Sequence, residues 1–193
     1  MIISVVGTGY VGLSLAVLIS RKHSVSASDI IEEKVDLINN GMSPIVDKEI
    51  SEFLSSGKLN LHATADITEC KGSDYVIIAT PTNYDVETHM FDTSSVESVI
   101  DQIEKISPES TIVVKSTVPI GFSESICKQK GIDNLLFSPE FLRVFLGSGP
   151  GSVVDLGDDP SGSDLESESV GDGLLRVSEE HVICGFVCHL CEF

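Results

Sequence analysis

The chain has 193 residues, 41% of them hydrophobic, which suits one domain with a substantial core and an appendage. Its formal net charge of −18 argues against binding to nucleic acid or to an anionic membrane surface, since both partners require basic patches. No stretch has the length and apolarity of a membrane span, and the first residues lack the basic flank of a signal peptide. We therefore expect a cytoplasmic protein whose five cysteines are reduced thiols.

Short β-branched runs alternate with segments of helical spacing over the first 143 residues. Strands are predicted over residues 2–6, 25–29, 60–63, 75–79, 111–114 and 135–137, and helices over 11–20, 31–40, 47–54, 94–106 and 121–130. Strands that alternate with helices in this way form a parallel sheet covered on both faces. The sequence therefore predicts an α/β fold, a doubly wound parallel sheet of the Rossmann-like type.

The composition changes after Arg143. Residues 144–193 contain one basic and ten acidic side chains, together with eight of the sixteen glycines. Such a segment cannot bury enough apolar surface to offset the entropy lost on ordering. We predict a folded domain over residues 1–143 and a loose, acidic, Gly/Ser-rich tail over residues 144–193.

A glycine motif follows the first predicted strand and opens the first predicted helix. Its three glycines have the spacing of the dinucleotide-binding fingerprint, in the string Gly7-Thr8-Gly9-Tyr10-Val11-Gly12. In that context Gly7 permits the tight turn, Gly9 lets the backbone approach a pyrophosphate, and Gly12 allows close packing of helix on strand. The pyrophosphate would bind backbone N–H groups at the positive end of the helix.

An acidic residue ends the second predicted strand. Asp29 lies 22 residues after Gly7, where a carboxylate can accept the ribose hydroxyls of an adenosine and would repel a 2′-phosphate. This position favours NAD over NADP. The alternatives are a flavin or simple nucleotide site, or glycines that serve only the turn. Lys34, one turn into the next helix, is by its spacing alone a solvated helix lysine.

Three later strands end in polar segments, residues 79–83, 115–121 and 138–143. Ligands of doubly wound sheets bind beyond the carboxyl ends of the strands. Serine, threonine and proline are also ordinary residues of turns and helix caps, so any one segment is explained without a ligand. Three polar segments that follow strands at the same edge of the sheet favour a binding site there.

These segments, with the glycine turn and residues 43–50, resemble the UDP-glucose/GDP-mannose dehydrogenase family. The most specific motifs are Ala79-Thr80-Pro81-Thr82-Asn83-Tyr84, Lys115-Ser116-Thr117-Val118-Pro119-Ile120-Gly121 and Phe137-Ser138-Pro139-Glu140-Phe141-Leu142-Arg143. The resemblance, which is to the bacterial UDP-glucose 6-dehydrogenase branch, covers residues 1–143. It implies oxidation of UDP-glucose to UDP-glucuronate, with NAD as cofactor and UDP-glucose as the small-molecule partner.

Carried over residue by residue, the resemblance also implies roles for individual side chains. The implied NAD contacts are Gly7, Gly9, Tyr10, Val11, Gly12, Asp29, Lys34, Thr82 and Thr117. Thr117 would also hold a catalytic water, and Glu140 would polarise water or accept a proton. The implied lining of the sugar-nucleotide pocket is Glu140, Phe141, Leu142 and Arg143.

The resemblance stops at Val144 and Phe145, where the family continues with Glu-Gly. None of the five cysteines has the surroundings of the family's nucleophilic cysteine, and the family's dimer-forming helix has no counterpart. We therefore expect the cofactor-binding half of a dehydrogenase, inactive alone and not a family-type dimer, with a tail read in a shifted frame. The alternative is a non-enzymatic NAD or sugar-nucleotide binding module.

A cluster of thiols and imidazoles near the end of the chain is the one candidate metal site in the sequence. Its members are His181, Cys184, Cys188, His189 and Cys191. Structural zinc sites normally use two separated pairs of ligands, and only one cluster is present, so no metal is expected.

Overall fold

The computed structural model describes residues 1–85 and 90–138 of the chain. The strands are β1 (Ile2–Val6), β2 (Ser24–Ser28), β3 (Leu61–Thr64), β4 (Tyr75–Ile78), β5 (Asn83–Asp85), β6 (Met90–Asp92), β7 (Thr111–Val114) and β8 (Leu135–Phe137). The α-helices are α1 (Tyr10–Ser20), α2 (Glu32–Asn39), α3 (Lys48–Ser55), α4 (Ser94–Ile106) and α5 (Phe122–Lys130), and a 3-10 helix spans Ile67–Cys70.

Six strands form one parallel sheet in the order β3-β2-β1-β4-β7-β8. The chain thus builds outward from β1 in one direction and then, starting at β4, in the other. This order confirms the predicted doubly wound fold, in which the strand order reverses between β1 and β4. The carboxyl ends of those two strands form the edge where ligands of such folds bind.

Both faces of the central strands are buried, which explains their continuous apolar runs. In β4, Val76 and Ile78 pack with α4 and α5 on one face, while Ile77 packs with α1 on the other. A third apolar cluster joins α1, α2 and α3 beside Ala63 of β3. The aliphatic residues at helical spacing in α4, Val96, Val99, Ile100 and Ile103, are all buried as the sequence pattern predicts.

Two short elements of the structure are not predicted from the sequence. The 3-10 helix Ile67–Cys70 is four residues long, and β5 and β6 pair antiparallel as a separate two-stranded sheet of three residues each. Neither is long enough to show a period in hydrophobicity. The strands and helices that the sequence does predict agree with the structure to within one or two residues at their ends.

Asn39, the last residue of α2, pairs with the edge strand β3. Its side-chain amide donates to the carbonyl oxygen of Ala63 at 2.8 Å, and its side-chain oxygen accepts from the Ala63 N–H at 2.9 Å. The amide therefore continues the hydrogen bonding of the sheet beyond its last strand. An edge strand that is covered in this way cannot pair with another chain at this residue.

Within the described ranges, no helix combines the length and apolar character that crossing a bilayer requires. The predicted loose tail, residues 144–193, lies outside the described residues.

Candidate functional site

The turn after β1 brings the exits of the two central strands into contact. Gly7 has φ +97°, a left-handed conformation that side chains disfavour, and its N–H donates to the Ser28 carbonyl at 2.8 Å. A Cβ atom on Gly7 would lie 2.6 Å from the Ala79 carbonyl oxygen, closer than real contacts allow. Glycine is therefore required here on both grounds, and the turn lies directly against the exit of β4.

The other two glycines of the motif meet different surroundings. A Cβ on Gly12 would lie 1.9 Å from the carbonyl oxygen of Gly7, so glycine at this position allows α1 to pack against the turn. A Cβ on Gly9 would meet no protein atom within 4 Å, although Gly9 is the N-cap of the helix. The structure itself thus gives no steric reason for glycine at residue 9, and the space above this residue is open to a ligand.

The amino end of α1 has the properties of an anion site. Its N-cap makes no side-chain hydrogen bond, and its first turn carries no acidic residue. The first backbone bond of the helix runs from the Leu13 N–H to the Gly9 carbonyl at 2.9 Å, which leaves the preceding N–H groups without helical partners. Such groups, with the helix dipole, attract phosphate. The turn and helix therefore fit a pyrophosphate.

Asp29 lies one residue beyond β2 and is tied to the glycine turn. Its Oδ2 accepts from the Thr8 backbone N–H at 2.9 Å and from the Thr8 hydroxyl at 2.6 Å. The Lys34 ammonium also donates to Oδ2, at 3.2 Å, whereas Oδ1 accepts from the Ile31 N–H at 3.1 Å. Oδ2 thus accepts three hydrogen bonds and Oδ1 one, so Oδ1 retains capacity for a further donor.

The environment of Asp29 favours the ionised carboxylate. Only 7% of its side-chain surface is exposed, and this burial alone would raise its pKa. The hydrogen bonds from Thr8 and Ile31 and the positive charge of Lys34 outweigh burial and hold the pKa of Asp29 below its ordinary value. The edge of the sheet beside the glycine turn thus carries a fixed negative charge.

The exits of β4, β7 and β8 are cross-linked by polar side chains. The Ser116 hydroxyl donates to the Thr80 carbonyl at 2.6 Å, and the Ser95 hydroxyl, in the first turn of α4, donates to the Pro81 carbonyl at 2.8 Å. The buried Lys115 ammonium donates to the Ser138 hydroxyl at 3.2 Å. These bonds fix the polar segments relative to one another at one edge of the sheet.

The structure places the two threonines of the predicted site on neighbouring strand exits. Thr82 follows β4, Thr117 follows β7, and both side chains are half-buried. The half-buried Tyr10 and Val11 begin α1 beside them on the same edge. Glu140, Phe141, Leu142 and Arg143, the predicted catalytic and substrate-binding residues of the last segment, lie outside the described residues.

Sequence reasoning missed the side chains that hold this edge together. Thr8 stands at a position of the fingerprint that tolerates any residue, and its partner is 21 residues away, so no local pattern marks it. The cross-links made by Ser95 and Ser116 likewise join segments far apart in sequence. Lys115 directly follows a run of buried β-branched residues, but a lysine at the end of a strand is ordinarily exposed, so the sequence does not mark its burial either.

Two further features bear on chemistry. Cys70 is buried in the core, and this burial raises the pKa of its thiol, while the half-buried Cys127 packs against the same cluster. Neither described cysteine is therefore placed as an activated nucleophile. No group of three or more His, Cys, Asp and Glu side chains suited to a metal occurs within residues 1–85 and 90–138, and the cluster at residues 181–191 lies outside them.

A cleft of about 440 Å³ lies at the opposite edge of the sheet, lined by Met1, Ser73, Asp74, Ser107 and Glu109 among others. These residues surround the amino ends of β1, β4 and β7. The glycine turn, Asp29 and the polar exits do not contribute to it. The candidate site is accordingly the surface along the carboxyl edge rather than this cleft.

Comparison with known proteins identifies the cofactor. Residues 1–145 match the NAD binding domain of the UDP-glucose/GDP-mannose dehydrogenase family, which confirms the predicted cofactor, NAD. The chain is 48% identical over 144 residues to a UDP-glucose 6-dehydrogenase of Streptococcus pneumoniae, an alignment that covers 74% of this chain and 36% of that protein. It is 44% identical over 146 residues to the Campylobacter jejuni UDP-glucose 6-dehydrogenase, covering 74% and 37%.

Among solved structures, the chain is similar to a ternary complex of GDP-mannose dehydrogenase from Pseudomonas aeruginosa. The TM-score is 0.62 at 32% sequence identity, over 74% of this chain and 37% of that one. The chain thus spans little more than a third of the length of these relatives.

Proposed function

Because the chain belongs to the UDP-glucose/GDP-mannose dehydrogenase family through its NAD-binding domain, we propose that it serves the NAD-dependent oxidation of UDP-glucose to UDP-glucuronate. The two relatives named UDP-glucose 6-dehydrogenase are 48% and 44% identical to it, whereas the GDP-mannose dehydrogenase is 32% identical. This difference supports UDP-glucose over GDP-mannose as the substrate.

The observation that carries the proposal is the pairing of Asp29 with the glycine turn at the carboxyl edge of the sheet. The α1 N–H groups would bind the pyrophosphate of the dinucleotide, and Asp29 Oδ1 would accept a ribose hydroxyl of its adenosine. When bound, NAD supplies the acceptor for the hydride that leaves C6 of the sugar.

The remaining roles extend along the same edge. Thr82 and Thr117, on adjacent exits, would contact the nicotinamide half of the cofactor, and Thr117 would also orient a water near the reacting carbon. Lys34, which lies beside Asp29, would contact the cofactor from α2. Glu140 would polarise that water or accept its proton, and Glu140, Phe141, Leu142 and Arg143 would line the sugar-nucleotide pocket.

Cofactor choice tests the assignment of Asp29. We expect NAD to bind more tightly than NADP by about 1–3 kcal/mol, since an ionised carboxylate beside the ribose repels a 2′-phosphate. Titration calorimetry of the chain with both dinucleotides measures this difference. In the Asp29→Asn variant, which lacks the charge, we expect most of the preference to disappear.

Asp74→Asn provides the matched control. Asp74 lies at the opposite edge of the sheet, where it accepts from the Ile2 N–H at 2.8 Å, so its replacement should leave the NAD preference unchanged. NADP binding equal to or tighter than NAD binding in the unmodified chain would remove the role of Asp29.

A second candidate function is a non-enzymatic NAD or sugar-nucleotide binding module. The observation that favours it is that Cys70 and Cys127, the cysteines within the described ranges, both pack against the core. Conversion of the C6 alcohol of UDP-glucose to the carboxylate of UDP-glucuronate takes two successive oxidations, each reducing one NAD, and covalent catalysis of the second requires an accessible thiolate. Turnover of UDP-glucose separates the two candidates, because a binding module would form no NADH.

A further inference from the structure

Thr8, between the first two glycines of the turn, donates its side-chain hydroxyl to Asp29, which lies just beyond the end of β2. The residue is fully buried, and its backbone N–H and hydroxyl both donate to the same oxygen, Oδ2 of Asp29, at 2.9 and 2.6 Å. The turn itself needs glycine at residue 7 but sets no requirement for a hydroxyl at residue 8. The hydroxyl is therefore specific to the carboxylate.

We propose that Thr8 is a positioning residue that fixes the Asp29 carboxylate for the ribose and thereby sets the preference for NAD over NADP. The inference rests on the proposed function, in which Asp29 is the residue that binds the ribose. To that function the inference adds Thr8 as the residue that holds the Asp29 carboxylate in one orientation.

The distribution of donors around Asp29 supports this role. Two of the three donors to Oδ2 come from Thr8, and both are rigid, since one is backbone and the other a short buried side chain. The third is the Lys34 ammonium, at the end of a long side chain with 29% of its surface exposed. Thr8 thus supplies most of the hydrogen bonding to Oδ2, whereas Oδ1 accepts from the Ile31 N–H and can accept a ligand hydroxyl as well.

Without the Thr8 hydroxyl, Lys34 would be the strongest remaining side-chain partner of Asp29. Hydrogen bonds to an ionised carboxylate are among the strong ones, so losing this one leaves Asp29 held by the backbone N–H groups of Thr8 and Ile31 and allows the carboxylate to shift toward the ammonium. A shifted carboxylate would present Oδ1 incorrectly to a ribose hydroxyl. The Lys34 ammonium would also partly neutralise the carboxylate charge that repels a 2′-phosphate.

The test compares Thr8→Val, which removes the hydroxyl at nearly constant volume, with Thr8→Ser, which keeps it. NAD and NADP affinities of the 193-residue chain are measured by titration calorimetry. We expect Thr8→Val to weaken NAD binding at least about fivefold, the equivalent of about one hydrogen bond, and to lower the NAD/NADP affinity ratio. Thr8→Ser should stay within about twofold of the unmodified chain in both quantities.

The control makes the same chemical change where no ligand is proposed. Thr111 begins β7 at the opposite edge of the sheet, and Thr111→Val should leave both affinities unchanged. Should Thr8→Val fail to fold, as judged by its circular dichroism melting curve, Thr8→Ala replaces it in the comparison with Thr8→Ser.

A second measurement does not depend on the cofactor. The Asp29 carboxyl carbon is followed by NMR against pH, and Lys34 is the charged group that acts on this carboxyl together with the Thr8 and Ile31 bonds. We expect the pKa of Asp29 to rise in Thr8→Val and to remain low in Thr8→Ser. A role in packing alone would shift neither titration.

Three results would overturn the inference. If Asp29→Asn removes the preference for NAD while Thr8→Val leaves it intact, the proposed function stands and the positioning role of Thr8 is wrong. If Thr8→Val and Thr8→Ser weaken binding equally, the residue acts through its shape and not through its hydroxyl. If Asp29→Asn also leaves the preference intact, the proposed role of Asp29 fails first and the inference with it.

Discussion

Asp29 shows how a nearly buried carboxyl group can remain ionised in acid. Its hydrogen bonds from Thr8 and Ile31 and the nearby Lys34 stabilise the charged form more than burial destabilises it. The folded-state pKa therefore lies below the value of about 3.9 that an unfolded chain shows. A group of this kind contributes stability above the unfolded pKa and loses it as the pH falls through the folded pKa.

A pH series on Asp29→Asn tests this linkage. We expect the difference in unfolding free energy between the unmodified chain and the variant to be constant above about pH 5 and to shrink below about pH 4. Other carboxyl groups titrate in both proteins and cancel in the difference. Urea unfolding at several pH values provides the measurement. A difference that grows toward low pH would mean that the pKa of Asp29 is raised by folding.

Substitution by alanine is predicted to destabilise the protein much more at Gly12 than at Gly9. Gly12→Ala should lower the unfolding free energy by about 2–3 kcal/mol or more, because the added carbon would lie 1.9 Å from the Gly7 carbonyl oxygen. Gly9→Ala meets no protein atom and should cost at most about 1 kcal/mol, the effect of alanine as an N-cap.

For Gly9→Ala, we expect the main effect to be on NAD affinity and not on stability. The Cβ of alanine at residue 9 would occupy the space proposed for the pyrophosphate, so binding weakens in a protein that remains folded. Urea unfolding and titration calorimetry on each variant measure the two effects. A Gly9→Ala protein that binds NAD as tightly as the unmodified chain would place the pyrophosphate elsewhere.

At the scale of the elements, the side chain of Asn39 hydrogen-bonds α2 to β3, beside the apolar contact of Val35 and Ile38 with Ala63. Asn39→Ala removes both of its hydrogen bonds to Ala63 and should lower the unfolding free energy by about 1–2 kcal/mol. The Ala63 amide proton should also exchange faster with solvent. Asn40→Ala is the matched control: the exposed Asn40 side chain follows α2 and donates to the Asp36 carbonyl within that helix, so its loss should cost less than about 0.5 kcal/mol.

The elements differ in how readily sequence predicts them. Strands such as Tyr75–Ile78 are predicted because a strand buried on both faces must be apolar throughout, and α4 because one face repeats at helical spacing. The hairpin of β5 and β6 has three residues in each strand, too few to alternate visibly. It is defined by pairing between strands, which no local pattern records.

The same distinction holds within the site. Gly7 and Asp29 are predictable because the conformation of a tight turn and the end of a strand restrict the residue type at those positions. Thr8 and Ser116 are not, since each acts on a partner that only the folded chain brings within 3 Å. Resemblance to a family supplied the expectation for Thr82, Thr117 and Lys34, whose chemistry alone is ordinary.

For the whole molecule, we predict weak binding of NAD and no sustained oxidation of UDP-glucose by the 193-residue chain. The chain covers 36% of the Streptococcus pneumoniae relative, and its described cysteines pack against the core. Oxidation requires the reacting carbon to be held against the nicotinamide, and loss of such positioning removes about 7–11 kcal/mol of assistance.

Incubation of concentrated protein with UDP-glucose and NAD tests this prediction through NADH absorbance and chromatography of the product. Formation of two NADH for each sugar would show that the chain carries a complete catalytic centre. Binding of NAD without turnover, lost in Asp29→Asn, would agree with a cofactor-binding role.

The central place of β1 also has a consequence for the order in which the protein is made. The strand β1, which must be paired on both sides, is synthesised before either of its partners, β2 beginning at Ser24 and β4 beginning at Tyr75. A nascent chain that has reached residue 34 already contains Thr8, Asp29 and Lys34, while the second side of β1 still lacks its partner. The part of the surface proposed for adenosine is thus encoded in one contiguous stretch, and translation completes it before the strands proposed to serve the nicotinamide exist.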